Sequence, residues 1–312
     1  MSRLLDSSAL PKGWLAFEMN ILRRMKFSSV AIPFVGEPTL GLFLKRWNVR
    51  VLTNDSLQWS WTKSLAQIQN NVETITEEQV AVILEDAYVP RHRLYNAALR
   101  NWFNETDSWW FDNVRENIEK LESPVARAVA LSIGMAVGDY TLSFTNQTLE
   151  LRQPLSQVFR RVWQTFPPLV NNGKNNVVTN KETRDFLAEA FTDLLFLRLP
   201  RAHNLTVRAS LGWLAWREDW IRGDDAFWDA LELAQAGRLG THVETKFQYL
   251  RFIEDVLRTA SHLPQWSIAH IEDGFVTTQE LVETVNKVRR VETIYTKDFS
   301  ELTGARAVIL TA

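Results

Sequence analysis

Two short stretches hold residue types and spacings that could do chemistry. In the first, an apolar strand leads into a glycine-containing turn, a helix and a second strand that ends in an acid; Pro33, Phe34, Gly36 and Asp55 hold the key places. That layout suits a nucleotide-type ligand, with turn amides facing it and the acid accepting hydrogen bonds from ribose hydroxyls. Such turns are common, and Asp55 could equally cap the next helix. The second stretch, DLLFLRLPRA, is apolar until Arg198-Leu199-Pro200-Arg201. Arg198, Arg201, His203 and Arg208 fall in RLPRAHNLTVR, which has no acid and suits phosphate or a partner's acidic surface. A solvated strand end is the plain alternative.

Composition removes other chemistries. With no cysteine there is no thiolate nucleophile, disulfide or cysteine metal site. The five histidines, His92, His203, His242, His262 and His270, form no HExxH or HxH pair, so no metal site is expected. A net charge of −2 gives no global positive field, so nucleic-acid contact would have to come from a local patch or a partner. No apolar run of span length stands out and the first residues show no signal-peptide pattern, so a cytoplasmic chain without membrane contact is expected.

The elements that must position these stretches follow from periodicity. SSVAIPF and VRVLTND read as strands flanking the helix PTLGLFLKRW, a βαβ unit of a doubly wound parallel sheet. From residue 74 to 170 strand signals vanish and helical spacing takes over, punctuated by Pro90, Pro124 and Pro154. VNNGKNNVVTN reads as a polar loop whose Lys174 could track a nucleic-acid backbone. After it come the helix KETRDFLAEAF, the strand LLFLRLP, two further helices, the strand WSIAHIE, another helix, and VETIYT and ARAVILTA as a closing antiparallel hairpin. The expected fold is therefore α/β, with residues 1–73 and 171–312 forming a Rossmann-like sheet and 74–170 a helical insertion.

Tryptophan occurs in runs: Trp59 and Trp61, Trp109 and Trp110, then Trp213, Trp216 and Trp220. Helical spacing makes most of them core residues. A base-stacking platform, or an interface built on exposed Trp109-Trp110, is the sharper reading.

The order of these parts resembles the adenine-specific DNA methyltransferases of the DNA adenine methylase type. IPFVGEPTLGLFLKRWNVRVLTND is similar to that family's cofactor motif and second-strand acid, and GKNNVVTNKETRDFLAEAFTDLLFLRLP to its helix and catalytic strand. The resemblance covers the chain from about Val30 onward. It implies a Rossmann-like methyltransferase sheet, S-adenosylmethionine as cofactor and flipped adenine as substrate. It also implies target recognition in the helical insertion, where Arg91, His92, Arg93, Arg100, Arg160 and Arg161 would read DNA unless they are a solvated helix face.

This chain departs from the family at the chemistry. The family's Glu-Pro-Phe-x-Gly-x-Gly becomes Ile32-Pro33-Phe34-Val35-Gly36-Glu37-Pro38, and a carboxylate at Glu37 would repel the methionine carboxylate. The family's lysine- and glycine-rich N-terminal segment has only ALPKGW, Ala9 to Trp14, as a distant counterpart. Its Asp-Pro-Pro-Tyr tetrad becomes Arg198-Leu199-Pro200-Arg201. There the acid and a backbone carbonyl accept from the target amino group while the aromatic ring stacks on the base. Arginine has no acceptor, and its charge beside the sulfonium would cost on the order of 4 kcal/mol at an effective dielectric of 20. Arg201 could still stack on a base.

The expectation is an inactive homologue that binds no cofactor unless the cleft stays open. It would hold DNA through Arg91, Arg93, Arg160, Arg161, Lys174, Arg198, Arg201 and Arg208, or regulate a protein partner such as an active methyltransferase subunit or a second copy of itself. Alternatives are an active methyltransferase drawing its acceptor from Asp193, Asp219 or Asn204, and a purely structural oligomerisation module.

Overall fold

A computed structural model describes residues 13–145, 147–272, 274–299 and 306–312. Most of ALPKGW thus lies outside the described residues. In chain order the elements are α1 (Trp14–Leu22), β1 (Ser29–Ile32), α2 (Thr39–Arg46), β2 (Arg50–Asn54), α3 (Gln58–Ser64), α4 (Glu77–Ile83), α5 (Glu105–Glu119), α6 (Pro124–Leu142) and α7 (Leu155–Gln164). They continue with β3 (Val177–Thr179), α8 (Thr183–Glu189), β4 (Leu194–Arg198), α9 (Val207–Leu211), α10 (Ala215–Arg222), α11 (Trp228–Gln235) and α12 (Lys246–Thr259). The last are β5 (Gln265–Glu272), α13 (Thr278–Asn286), β6 (Thr293–Asp298) and β7 (Arg306–Thr311).

The chain divides into two compact units, one of residues 1–56, 172–212 and 228–312, the other of 57–171 and 213–227. The second begins earlier than the expected boundary at 74 and takes back a later segment. Two aromatic helices decide this: α3 carries Trp59, and α10 carries Trp216 and Trp220, all buried in one cluster with the helices between 77 and 164.

The first unit is mixed α/β. Its seven-stranded sheet has the order β3-β2-β1-β4-β5-β7-β6. β1 pairs in parallel with β2 and β4, β2 with β3, and β4 with β5, whereas β7 runs antiparallel between β5 and β6. The central strands are continuous apolar runs because both faces are covered: Leu194 to Leu197 of β4 and Trp266 to His270 of β5 are all buried. The closing hairpin is present as expected. The expected polar loop before α8 is corrected: Val177–Thr179 forms edge strand β3, which a three-residue VVT run among asparagines did not announce. Asn176 replaces the missing ladder at that edge, its Oδ1 accepting from the Val51 amide at 2.9 Å while its Nδ2 donates to Asn172 Oδ1. A helix also precedes the first strand, because α1 puts Trp14, Phe17, Glu18, Ile21 and Leu22 on one buried face.

Among its described residues the second unit has helices joined by turns and loops, and no strand. Its longest helix, α6, starts at an N-cap, Ser123, followed by Pro124 at the first helical position. By length and composition α6 is apolar enough to cross a membrane, which corrects the expectation that no such run exists; about 67% of it is buried inside the protein. Trp109 and Trp110 are buried, so the expected exposed interface pair is also corrected: residues 104–107 start α5 in a register that turns both indoles inward. Trp213 alone of its run is exposed.

Candidate functional site

In a sheet whose order changes direction between β1 and β4, ligands are received in the crevice outside the strands' carboxyl ends. The fold brings the two sequence-marked stretches to that edge. Pro33 to Gly36 follows β1, Asp55 follows β2, and Arg198 to Arg201 ends β4.

Each group there has an internal partner. Gly36 adopts a φ of +54°, which glycine tolerates, and its amide donates to Asp55 Oδ2 at 2.9 Å. The acid expected to meet ribose hydroxyls is thus turned onto its own turn. The Asp55 carbonyl also accepts from Asn180 Nδ2 at 2.5 Å.

At the tip of β4, alternation puts Phe196 and Arg198 on one face, the guanidinium carbon 5.9 Å from the phenyl centroid. Arg198 donates through Nε to Glu18 Oε1 at 2.9 Å and through Nη2 to Oε2 at 2.7 Å. Glu18 is wholly buried and also accepts from the Trp14 indole, while the Arg198 side chain is 19% exposed. This planar two-point pair satisfies both carboxylate oxygens and fixes the fork. Helix α1 therefore supplies, in Glu18, the anion that holds Arg198, and no sequence motif singled out Glu18. Its signal was in the sequence: WLAFEMNIL has one acid among apolar positions of a helical face.

The backbone of the next two residues is engaged. Leu199 donates its amide to the Ala269 carbonyl at 2.9 Å, and the Pro200 carbonyl accepts from the Tyr249 hydroxyl at 2.6 Å. A Cβ on Gly240 would stand 3.5 Å from the Pro200 ring and 3.9 Å from Phe34, so the 239–241 segment packs directly over both strand tips. Parallel bridging between His203 and His242 fastens that segment. Beside Leu199, Arg201, Tyr249 and Phe275 the remaining cavity is about 10 Å³, the space of one water.

Other expected groups are placed elsewhere. Asp193 sits at the amino end of β4, the opposite end from the tetrad, which removes it as an alternative acceptor. Its Oδ2 accepts from the hydroxyl and amide of Ser28 and the amide of Ser29, and these bonds, the Ser28 hydroxyl's first, hold its pKa below the usual carboxylate range. Asp219 is buried in the helical unit, taking the Trp102 indole N–H at 2.8 Å, and Asn204 is exposed in the loop after β4.

The cations expected to read DNA fall into two groups. Arg91 pairs with Glu116 and Arg160 with Glu77, and Arg161 donates to Gln153 at 2.8 Å while lying over Tyr140. Arg208 lies over Trp228, its guanidinium carbon 5.8 Å from the ring. Arg93, Arg100 and Lys174 are exposed, with no ion pair among the described residues. No group of histidine, aspartate and glutamate able to hold a metal occurs among the described residues.

In the helical unit, the buried polar side chains serve the fold. Glu218 accepts from the amides of Gln58 and Trp59 at 2.9 and 3.0 Å, capping α3 in place of a side-chain N-cap. Burial raises its pKa, against the pull of those amides and of Arg222. Arg217 makes a two-point pair with Asp139 and is flanked by Trp59 and Trp213 at 4.8 and 5.6 Å.

No family model matches the chain, and no curated protein matches it.

Proposed function

We propose that this protein is a catalytically inactive homologue of the adenine-specific DNA methyltransferases, acting as a regulatory or DNA-holding subunit of a methyltransferase, restriction or defence complex. The observation that carries the reading is the Arg198–Glu18 pair. Where lone-pair activation of an exocyclic amine needs an acceptor, β4 ends in a donor-only cation locked onto a buried carboxylate. The order β3-β2-β1-β4-β5, with β7 inserted antiparallel, supports a Rossmann-like methyltransferase sheet.

The cofactor crevice supports the same reading. Asp55 is engaged by the Gly36 amide and the Pro200 carbonyl by Tyr249, so two of the acceptors that a cofactor or target base would need are already occupied. Of the two roles, regulation through a protein partner is favoured, because Arg91, Arg160 and Arg198 are already neutralised by Glu116, Glu77 and Glu18. DNA holding would fall to Arg93 and Arg100 in the helical unit or to Lys174, Arg201 and Arg208 in the sheet unit.

Calorimetric titration with S-adenosylmethionine tests the reading. The expected result is no binding heat at millimolar ligand and no transfer of labelled methyl to adenine in duplex oligonucleotides. Cofactor binding with adenine labelling that disappears on Arg198→Ala would overturn it. A steep fall of duplex affinity with salt would move the balance toward DNA holding.

A further inference from the structure

We infer that the groove between α1 and α2 is a docking surface for an acidic, amphipathic helical segment of a partner protein. The inference rests on the reading of a partner-binding subunit and gives that partner's chemistry. Each helix has two apolar faces. α1 buries Trp14, Phe17, Ile21 and Leu22, while Leu15 and Met19 are half-buried; α2 buries Leu40 and Leu44, while Phe43 and, just past its end, Trp47 are half-buried. These second faces line an open groove of about 740 Å³ with Ala16 and Asn20. Helix recognition commonly uses such an apolar trough between two helices, with anchors at i, i+3, i+4 and i+7.

Charge selects the occupant. Arg23 and Arg46 stand on the groove's rim, exposed and without an ion pair among the described residues. No Asp or Glu occurs from Met19 to Gly36 or from Pro38 to Asn54, while Arg24, Lys26 and Arg50 extend the positive field. The guanidinium of Arg23 lies over Trp47, 5.0 Å from its centroid, and that of Arg46 over Phe43 at 5.4 Å. Held against a ring, each guanidinium loses water from one face and still offers its N–H edge, a pre-organised fork for a carboxylate. The same contacts disfavour nucleic acid, since a stacking base would have to displace the arginines, and phosphates gain nothing from Leu15, Met19 and Phe43. Aromatic residues, methionine and arginine are also the types enriched in protein interfaces.

The test uses the full chain and two fluorescein-labelled helical peptides of about 18 residues. Both carry leucine at i, i+3, i+4 and i+7; one has glutamate on the flanking positions and the other lysine. By fluorescence anisotropy the wild type should bind the glutamate peptide and prefer it over the lysine peptide by about tenfold or more. Arg23→Glu with Arg46→Glu should reverse that preference without changing the melting curve, and Phe43→Ala should weaken both peptides while keeping the wild-type order. Equal binding of the two peptides, absence of binding, or indifference to charge reversal overturns the proposal. It is also overturned if single-stranded or duplex DNA occupies the surface with the same dependence on Arg23 and Arg46, or if sedimentation shows self-association that the reversal abolishes. These outcomes do not depend on cofactor titration or methyl transfer, so failure of the groove and failure of the inactive-homologue reading are separately visible.

Discussion

Arg198 at the end of β4 and Glu18 in α1 form a two-point ion pair in which a fully buried carboxylate faces a largely buried guanidinium. Breaking such a pair on one side strands a charge out of water, whereas replacing both sides with apolar groups of similar volume is close to neutral. Arg198→Met should therefore lower unfolding free energy by about 3–5 kcal/mol, and Glu18→Leu with Arg198→Met should recover most of that loss. Urea titration of the two single variants and the double variant closes the cycle. Additive losses would mean that the pair is not coupled.

The same geometry bears on the proposed absence of methyl transfer. Arg198→Asp places a carboxylate against Glu18, so the variant should be less stable than Arg198→Met and still transfer no methyl group. Methylation assays beside melting curves check both parts. Recovery of stability in Arg198→Asp with Glu18→Arg would show that the charge clash, rather than the backbone, is responsible.

Tyr249 reaches from α12 to donate its hydroxyl to the Pro200 carbonyl at 2.6 Å. Tyr249→Phe leaves a partly buried acceptor without its donor, a loss of about 1–2 kcal/mol in thermal or chemical unfolding. Freed of its hydroxyl partner, the carbonyl should still support no methyl transfer, because Arg198 remains paired with Glu18.

The central strands were legible in the sequence because β1, β2, β4 and β5 are apolar runs buried on both faces, and turn residues bound them. Strand β3 was not, since three residues at a sheet edge carry no periodicity, and Asn172 and Asn176, which extend their pairing by bonding Val49 and Val51, have the composition of a loop. The limits of the helical unit were hidden for a different reason. α10 returns to it from more than forty residues further along the chain, joined by indole packing that sequence spacing cannot place. At the candidate site, the sequence marked residues at the ends of strands β1, β2 and β4, but not the partners that hold them. Glu18, Tyr249 and Gly240 reach the strand tips from distant segments, and no local pattern links them to residues 198–201.

Glu280 gives a pH signature of the α12–α13 region. The Thr277 amide, the Lys246 ammonium and the Thr277 hydroxyl bond its carboxylate, and its pKa is lowered to about 2. A depressed acid stabilises the fold above its unfolded value of 4.5, and that contribution is lost as pH falls through about 2. The stability difference between wild type and Glu280→Gln should therefore be largest near neutrality and shrink from pH 4.5 downward. Carboxyl chemical shifts should place the midpoint near 2 and move it upward in Lys246→Ala.

In the helical unit, α6 presents Gly134 and Gly138 one turn apart, and α10 sets Trp220 and Trp216 into the two notches. A Cβ at position 138 would stand 2.1 Å from Trp216 Cη2, and one at 134 would stand 2.2 Å from Trp220 Cη2, separations that no repacking of a wholly buried indole absorbs without moving a helix. Alanine improves intrinsic helix propensity by about 1 kcal/mol, so on an open helix surface either change would stabilise. Here overpacking acts against it: Gly138→Ala should cost about 2–3 kcal/mol net, with the melting temperature falling accordingly. Trp216 supplies the rescue, because its buried indole N–H has no hydrogen-bond partner and Trp216→Phe removes the clashing ring without losing a bond. Gly138→Ala with Trp216→Phe should melt above Gly138→Ala alone. If Gly138→Ala instead raises the melting temperature, the glycine notch is not what seats α10 on α6.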